Sequence, residues 1–107
     1  MAKLSLGVDY GTNSVRGLLV DVQTGEEVAS AVCAYPSGQA GILLDPNDPH
    51  LARQNPEDYL HGFVDVCQQL AQCADLTQVV GIGVDTTGSS PMPVAADNSP
   101  LSSDPQF

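Results

Sequence analysis

Apolar and polar residues alternate at the start of the chain, with Leu4, Leu6 and Val8 set against Ser5, Gly7 and Asp9. A period of two predicts a strand with one buried face and places Asp9 on the other, at the strand's C-terminal end. Val15 to Val22 is more continuously apolar, the pattern of a strand covered on both sides. Gln23-Thr24-Gly25-Glu26 reads as a turn, and Glu27 to Ala34 as a third, weaker strand. Short connections between these runs predict an antiparallel meander.

The texture then changes. Pro36, Gly38, Gly41, Pro46 and Pro49 interrupt any period from Tyr35 to Asn55, which predicts a long irregular loop packed down by Ile42-Leu43-Leu44. Asn55-Pro56-Glu57-Asp58 is a helix start: Asn55 caps, Pro56 suits the first turn, and two acids face the positive end of the dipole. Tyr59/Leu60, Phe63/Val64, Cys67, Leu70/Ala71 and Ala74 recur at helical spacing, predicting a helix from Pro56 to about Cys73 with one apolar stripe. Cys67 falls on that stripe as a core thiol, Cys73 near the helix end, and His61 between stripe positions, in solvent. Val79 to Asp85 reads as a buried strand whose glycines let a helix approach closely. Met92 to Ala96 is expected to form a further strand, turned by Asp97 to Pro100.

The order strand, strand, strand, helix, strand places the fourth strand parallel to the first. Both C-terminal ends then open on one side, and two small polar loops flank one cleft. The first follows Asp9 and contains Gly11, Thr12, Asn13 and Ser14; the second follows Asp85 and contains Thr86, Thr87, Gly88, Ser89 and Ser90. Hydroxyls, an amide and free backbone N–H groups suit phosphate oxygens, and a strand-end Asp beside them suits a hydrated Mg2+. The alternative for the first loop is an ordinary solvated hairpin tip. Asp85 either shares the cation or anchors its own turn through backbone N–H groups. Arg16 either reaches back to phosphate or stands in solvent. Counted along the chain, its parity puts it on the face opposite Asp9 unless the loop bulges and resets the register.

Charge and cysteine content narrow the partners. Lys and Arg number 3 against 13 Asp and Glu, a net charge of −10, which repels nucleic-acid backbone and anionic membrane. Phosphate must then be neutralised locally. The 3 cysteines show no metal-binding spacing and fit reduced thiols in a cytoplasmic protein. With 107 residues and 42% apolar content, the chain is one domain or less, and no run approaches a signal-peptide core or a membrane span.

Gly7-Val8-Asp9-Tyr10-Gly11-Thr12-Asn13-Ser14-Val15-Arg16 resembles the first phosphate-binding segment of the FGGY carbohydrate kinases, within the actin-like ATPase superfamily. Gly81 to Val94 resembles the sugar-side segment of the ribulokinase branch of that family, and Leu51 to Tyr59 its approach to the first helix. The resemblance covers nearly the whole chain. It implies an α/β, RNase H-like mixed sheet and ATP-dependent, Mg2+-assisted phosphorylation of ribulose in pentose (arabinose) catabolism. It assigns Asp9 to the metal, Gly11, Thr12, Asn13, Ser14 and Arg16 to the nucleotide phosphates, and Thr87, Gly88 and Ser89 to the sugar.

Members of the family are several times longer. The resemblance therefore implies that residues 1–107 are the N-terminal part of the first kinase domain, with the general base beyond Phe107 and no activity in isolation. Exposed sheet edges would favour self-association of such a piece, and the full-length protein could form a homo-oligomer. Two other functions fit the same architecture: a nucleotide-binding, non-enzymatic module and an RNase H-like metal-dependent nuclease. The acidic composition weighs against the nuclease.

Overall fold

A computed structural model describes residues 2–88 and 92–106. Strands β1 (Leu4–Tyr10), β2 (Ser14–Asp21) and β3 (Glu27–Ala34) form the expected meander. A second sheet follows, made of β4 (Ile42–Asp45) and β5 (Asp48–Gln54). Helix α1 (Pro56–Ala71) and β6 (Val79–Thr86) complete the regular structure. The main sheet has the order β3-β2-β1-β6, with β1 antiparallel to β2 and parallel to β6. The fold class and strand directions expected from the sequence are therefore present.

Helix α1 begins as its sequence dictates. The Asn55 side chain accepts from the Glu57 N–H at 3.0 Å, with Pro56, Glu57 and Asp58 in the first turn. The helix stops at Ala71 rather than Cys73, and the chain turns through Gln72–Ala74. Its fully buried row is Asp58, Gly62, Val66 and Leu70; the expected stripe shares Leu70 with it, and Tyr59, Phe63 and Cys67 flank it half-buried. This burial has a steric cause: a Cβ on Gly62 would lie 2.5 Å from Val15 Cγ1, and one on Gly17 would lie 2.2 Å from Val66 Cγ1. Helix and β2 thus meet where each offers a glycine, and Leu60 and Val64 turn outward. Cys67 is half-buried rather than a full core residue, Cys73 is exposed, and His61 is in solvent as expected.

The core lies between α1 and one face of β1–β3: Leu4, Leu6, Val8, Val15, Leu19, Ala31, Cys33, Tyr35, Val66 and Leu70. Complete burial of a side chain such as Leu19 or Leu70 stabilises the fold by about 1.5–3 kcal/mol. Only this one face of β2 is fully covered. Val15, Gly17 and Leu19 are buried, whereas Arg16 is exposed and Leu18 and Val20 are half-buried, so the expectation of cover on both sides is not met.

Three other expectations are corrected. The segment 35–55 is not an irregular loop but carries the β4–β5 hairpin, turned at Pro46-Asn47. Pro49 fits within β5 because it falls in the register shift between the Asp45–Asp48 and Leu44–Ala52 pairs, where residues 49–51 have no cross-strand partner. Strand β6 is not buried: Val80, Ile82 and Val84 are exposed, and nothing lies within 4 Å of a Cβ built on Gly81 or Gly83. Helix α1 packs mainly over β2 and β3. Met92–Ala96 is no strand; it contributes one isolated bridge, Val94 to Pro100, before a short 3-10 turn at Leu101–Ser103.

Candidate functional site

The parallel register of β1 and β6 places Asp9 beside Asp85, and the antiparallel register of β1 and β2 places Asp9 opposite Arg16. Residues in cross-strand register project to the same face, so Asp85, Asp9 and Arg16 form one exposed row on the side away from α1. The loop thus resets the register, and Arg16 and Asp9 share a face. Parity counts along one strand, and the hairpin reverses the chain between the two residues. The residues bring two carboxylates and one guanidinium to the end of the sheet where both loops open.

The turn after Asp9 is tied down from behind. Gly11 N–H donates to Ser14 O at 2.8 Å, which closes the turn. The Tyr35 hydroxyl donates to Gly11 O at 2.8 Å, and Gln54 Nε2 donates to Thr12 O at 2.8 Å. Tyr35 N–H donates to Asn13 O at 3.0 Å, while Asn13 Nδ2 donates to Ala40 O at 2.9 Å. The Asn13 side chain therefore braces the loop at 37–41 rather than reaching into the cleft. Among the described residues, the backbone N–H groups of Thr12 and Asn13 donate to no protein acceptor. Thr12 and Asn13 are exposed, and Ser14 is half-buried at the start of β2.

A cluster of aromatic rings supports this turn. Tyr59 meets Tyr10 edge-on at 5.0 Å between centroids and Tyr35 edge-on at 5.7 Å. The Tyr10 hydroxyl donates to Tyr59 O at 3.1 Å, and the Tyr59 hydroxyl donates to Gln54 Oε1 at 2.6 Å. Burial pushes the Tyr35 hydroxyl up to about 12, helped by the neighbouring Tyr59 and Tyr10 and by the carboxylates of Asp58 and Asp9. Burial also raises Tyr59 and Tyr10. All three stay protonated, and so remain donors, throughout the physiological range.

The second loop is held beside the first. Thr87 N–H donates to Tyr10 O at 3.1 Å, which carries the β1–β6 ladder one residue beyond the strand. Asp85 Oδ1 accepts from Thr86 N–H at 3.0 Å, so this carboxylate does anchor its own turn, as one of its two readings held. Thr87 and Gly88 line a cavity of about 810 Å3 together with Thr12 from the first loop. Nothing lies within 4 Å of a Cβ built on Gly88, so the backbone there is open to an incoming molecule. Ser89 lies outside the described residues.

Other walls of this cavity were not foreseen as site residues. Arg53 and Gln54 come from β5, Tyr59 from α1, and Met92, Pro93 and Leu101 from the chain after β6. Arg53 carried a usable signal, being one of only 3 basic residues in a chain of net charge −10. Among the described residues, no group of three His, Cys, Asp or Glu side chains comes together. Asp9 and Asp85 are thus the carboxylates at hand. A pair of this kind fits Mg2+, which keeps several waters and takes its remaining ligands from substrate phosphates. No described helix is long and apolar enough to cross a membrane.

Comparison with known proteins agrees with this geometry. Residues 4–103 match the N-terminal domain of the FGGY family of carbohydrate kinases. The chain is 38% identical over 105 residues to a ribulokinase of Vibrio parahaemolyticus, covering 95% of this chain and 18% of that protein. It is 37% identical over 113 residues to a ribulokinase of Shouchella clausii, covering 100% of this chain and 20% of that protein. The chain thus spans about a fifth of the length of the curated relatives it matches. Among solved structures, a xylulose kinase from Brucella ovis superposes with a TM-score of 0.78 at 21% identity, covering 92% of this chain and 19% of that one. A gluconate kinase from Lactobacillus acidophilus superposes with a TM-score of 0.76 at 24% identity, covering 94% of this chain and 19% of that one. These two likenesses carry the fold, a mixed α/β sheet. The chain belongs to the FGGY family of carbohydrate kinases.

Proposed function

We propose that residues 1–107 supply the nucleotide-phosphate loop and one wall of the sugar site of an ATP-dependent kinase acting on ribulose. The observation that carries this reading is the parallel register of Asp9 with Asp85, which opens both loops at one end of the sheet beside one cavity. The identity to two ribulokinases along nearly the whole chain supports the choice of sugar. The comparisons favour neither the nuclease nor the non-enzymatic module.

In this reading, Thr12 and Asn13 offer backbone N–H groups to the β- and γ-phosphates. Gly11 permits the close turn, whose added Cβ would lie 3.2 Å from Ser14 O. The Ser14 hydroxyl and Arg16 complete the phosphate side. Asp9, with Asp85 in register beside it, holds a hydrated Mg2+. A cation held there would supply positive charge to offset that of the transferring phosphoryl group. Thr87, Gly88 and Ser89 border the sugar, with Gly88 offering backbone. Arg53 is the one cationic side chain lining the cavity among the described residues and neutralises anionic charge near the sugar. Phosphoryl transfer then depends on positioning and charge neutralisation.

The same reading makes this segment the N-terminal part of a first kinase domain in a cytoplasmic, pentose-catabolic enzyme whose general base lies outside residues 1–107. The segment alone is inactive. It self-associates through the free edge of β6 and the exposed Val80, Ile82 and Val84.

The test is an assay of the full-length kinase carrying this segment. Ribulose-dependent ADP release is expected, and Asp9→Asn should lower kcat on the order of 10²-fold, as loss of a single electrostatic stabiliser does elsewhere. Gly88→Leu should raise the KM for ribulose and spare that for ATP. Undiminished turnover in Asp9→Asn, or a loss of ATP affinity in Gly88→Leu, would overturn the assignment of the two loops.

A further inference from the structure

We propose that Gln54 is a positioning residue: held by Tyr59, it fixes the Thr12 carbonyl and thereby aims the Asn13 backbone N–H at the nucleotide phosphate. The inference rests on the phosphate-loop reading above and adds a residue that the loop itself does not contain.

The argument begins with the peptide bond. None of the described peptide bonds is cis, and in a trans peptide the C=O and the following N–H point in opposite directions. Whatever holds a carbonyl therefore sets the aim of the next N–H. The Tyr35 hydroxyl holds Gly11 O at 2.8 Å, which turns the Thr12 N–H the other way. Gln54 Nε2 holds Thr12 O at 2.8 Å, which does the same for Asn13. Neither of these N–H groups has a protein acceptor among the described residues. Neutralising phosphate in a chain this acidic needs such donors, and they act best when no reorganisation is required.

A carboxamide can hold a carbonyl only with its nitrogen end. The Thr12 carbonyl can only accept, so it takes the Nε2 end, and Oε1 is left to accept from the Tyr59 hydroxyl at 2.6 Å, which holds the carboxamide in place. Tyr59 is itself located by the Tyr10 hydroxyl on its carbonyl and by edge-on contact with Tyr10 and Tyr35. Gln54 also ends β5, beside Arg53, and both line the same cavity as Thr87 and Gly88. The β4–β5 hairpin thus fixes the spacing between the phosphate turn and the sugar wall through one side chain.

Two variants of the full-length kinase test this: Gln54→Glu and Tyr59→Phe. Glutamate has the shape of glutamine but only acceptor oxygens when ionised, so it repels the Thr12 carbonyl instead of holding it. Expected for Gln54→Glu is a loss of kcat of about 10²-fold, the scale of a displacement near 1 Å. Affinity for the Mg2+ complex of the non-hydrolysable ATP analogue AMP-PNP should weaken about tenfold, one hydrogen bond's worth. The KM for ribulose should stay within about twofold, since the sugar contacts are untouched. Tyr59→Phe should shift kcat and analogue affinity in the same direction by less, because the carboxamide remains and loses only its orienting partner.

A loss confined to the KM for ribulose would make Gln54 a sugar contact and overturn the proposal, as would unchanged kcat and analogue affinity in both variants. Should Gln54→Glu fail to fold, the Tyr59→Phe result decides alone. If the wild-type kinase binds the analogue but releases no ADP with ribulose, the choice of sugar fails while the analogue affinities still judge Gln54. A wild type that binds no analogue overturns both.

Discussion

Strands β2 and β6 flank β1 and look alike as sequence, both of them short aliphatic runs carrying glycine. Their surroundings are opposite. Gly17 of β2 lies under α1, with an added Cβ 2.2 Å from Val66 Cγ1 and 3.1 Å from Leu70 Cδ1. Gly81 and Gly83 of β6 have nothing within 4 Å. In the same way Val8 is 2% exposed while its register partner Val84 is 65% exposed on the same face. The apolar pattern of a strand reports what could be buried, and the neighbouring elements decide what is. For the site this means that β1 is held rigidly from the β2 side and carries β6 along by its hydrogen-bond ladder.

The sharpest way to break the comparison is Gly17→Ala. Val66 is β-branched and stiff at χ1, and Leu70 stands behind it, so neither yields easily. The variant should lose ~1–3 kcal/mol of stability, the range for overpacked cores, measured by denaturant unfolding. A change near zero would mean that α1 lifts off β2 without penalty, and the rigid side of the comparison would disappear.

A smaller effect is expected where the rigid side reaches the phosphate turn. Tyr35→Phe removes the donor to Gly11 O and should cost about 0.5–1.5 kcal/mol. The wild-type hydroxyl carries its own pH signature. Its folded value is raised to about 12 from the ordinary 10.0, so the folded state binds this proton more tightly than the unfolded one. Its contribution to stability is complete below pH 10 and is lost as pH rises through about 12. All three tyrosines are raised, and ultraviolet titration of tyrosinate should show that Tyr35→Phe removes the component near 12. Ordinary titration of every tyrosine would detach Tyr35 from the turn.

Much of this was legible in the sequence, for identifiable reasons. The β1 alternation, the Asn55-Pro56 start of α1 and the two strand-end aspartates are local signals that tertiary packing had no cause to override. The rest was decided where partners matter. Arg16 joins the Asp9 row because hairpin register, not position along the chain, sets its face. The β4–β5 hairpin was hidden by Pro46 and Pro49, which break patterns as readily in a ribbon as in a loop. Arg53, Gln54 and Tyr59 were missed as site residues because their roles arise from that hairpin folding back against the phosphate turn. The burial of Gly62 and Val66 on α1 follows from Gly62 seating against Val15 and Gly17 against Val66, a coincidence of two elements that neither reveals alone.

The smallest expected effect sharpens the open side. Gly83→Ala places a methyl group in open space and removes a glycine from a strand interior, so residues 1–107 should change in stability by no more than about 0.5 kcal/mol. The same substitution in the full-length kinase asks a different question. Gly83 lies on the Asp9 and Asp85 face of the sheet, where Gly7 is its register partner and Gly81 stands two residues before it. Together they leave a strip of backbone without side chains. If the longer protein also tolerates alanine, that strip stays open and the contrast with Gly17 is a property of the whole enzyme. A loss of 1 kcal/mol or more, the scale of overpacking, would show that another element seats against β6. In that event β6 would be clamped from the face that carries the carboxylates, and the spacing of Asp9 and Asp85 would be set from both sides of the sheet.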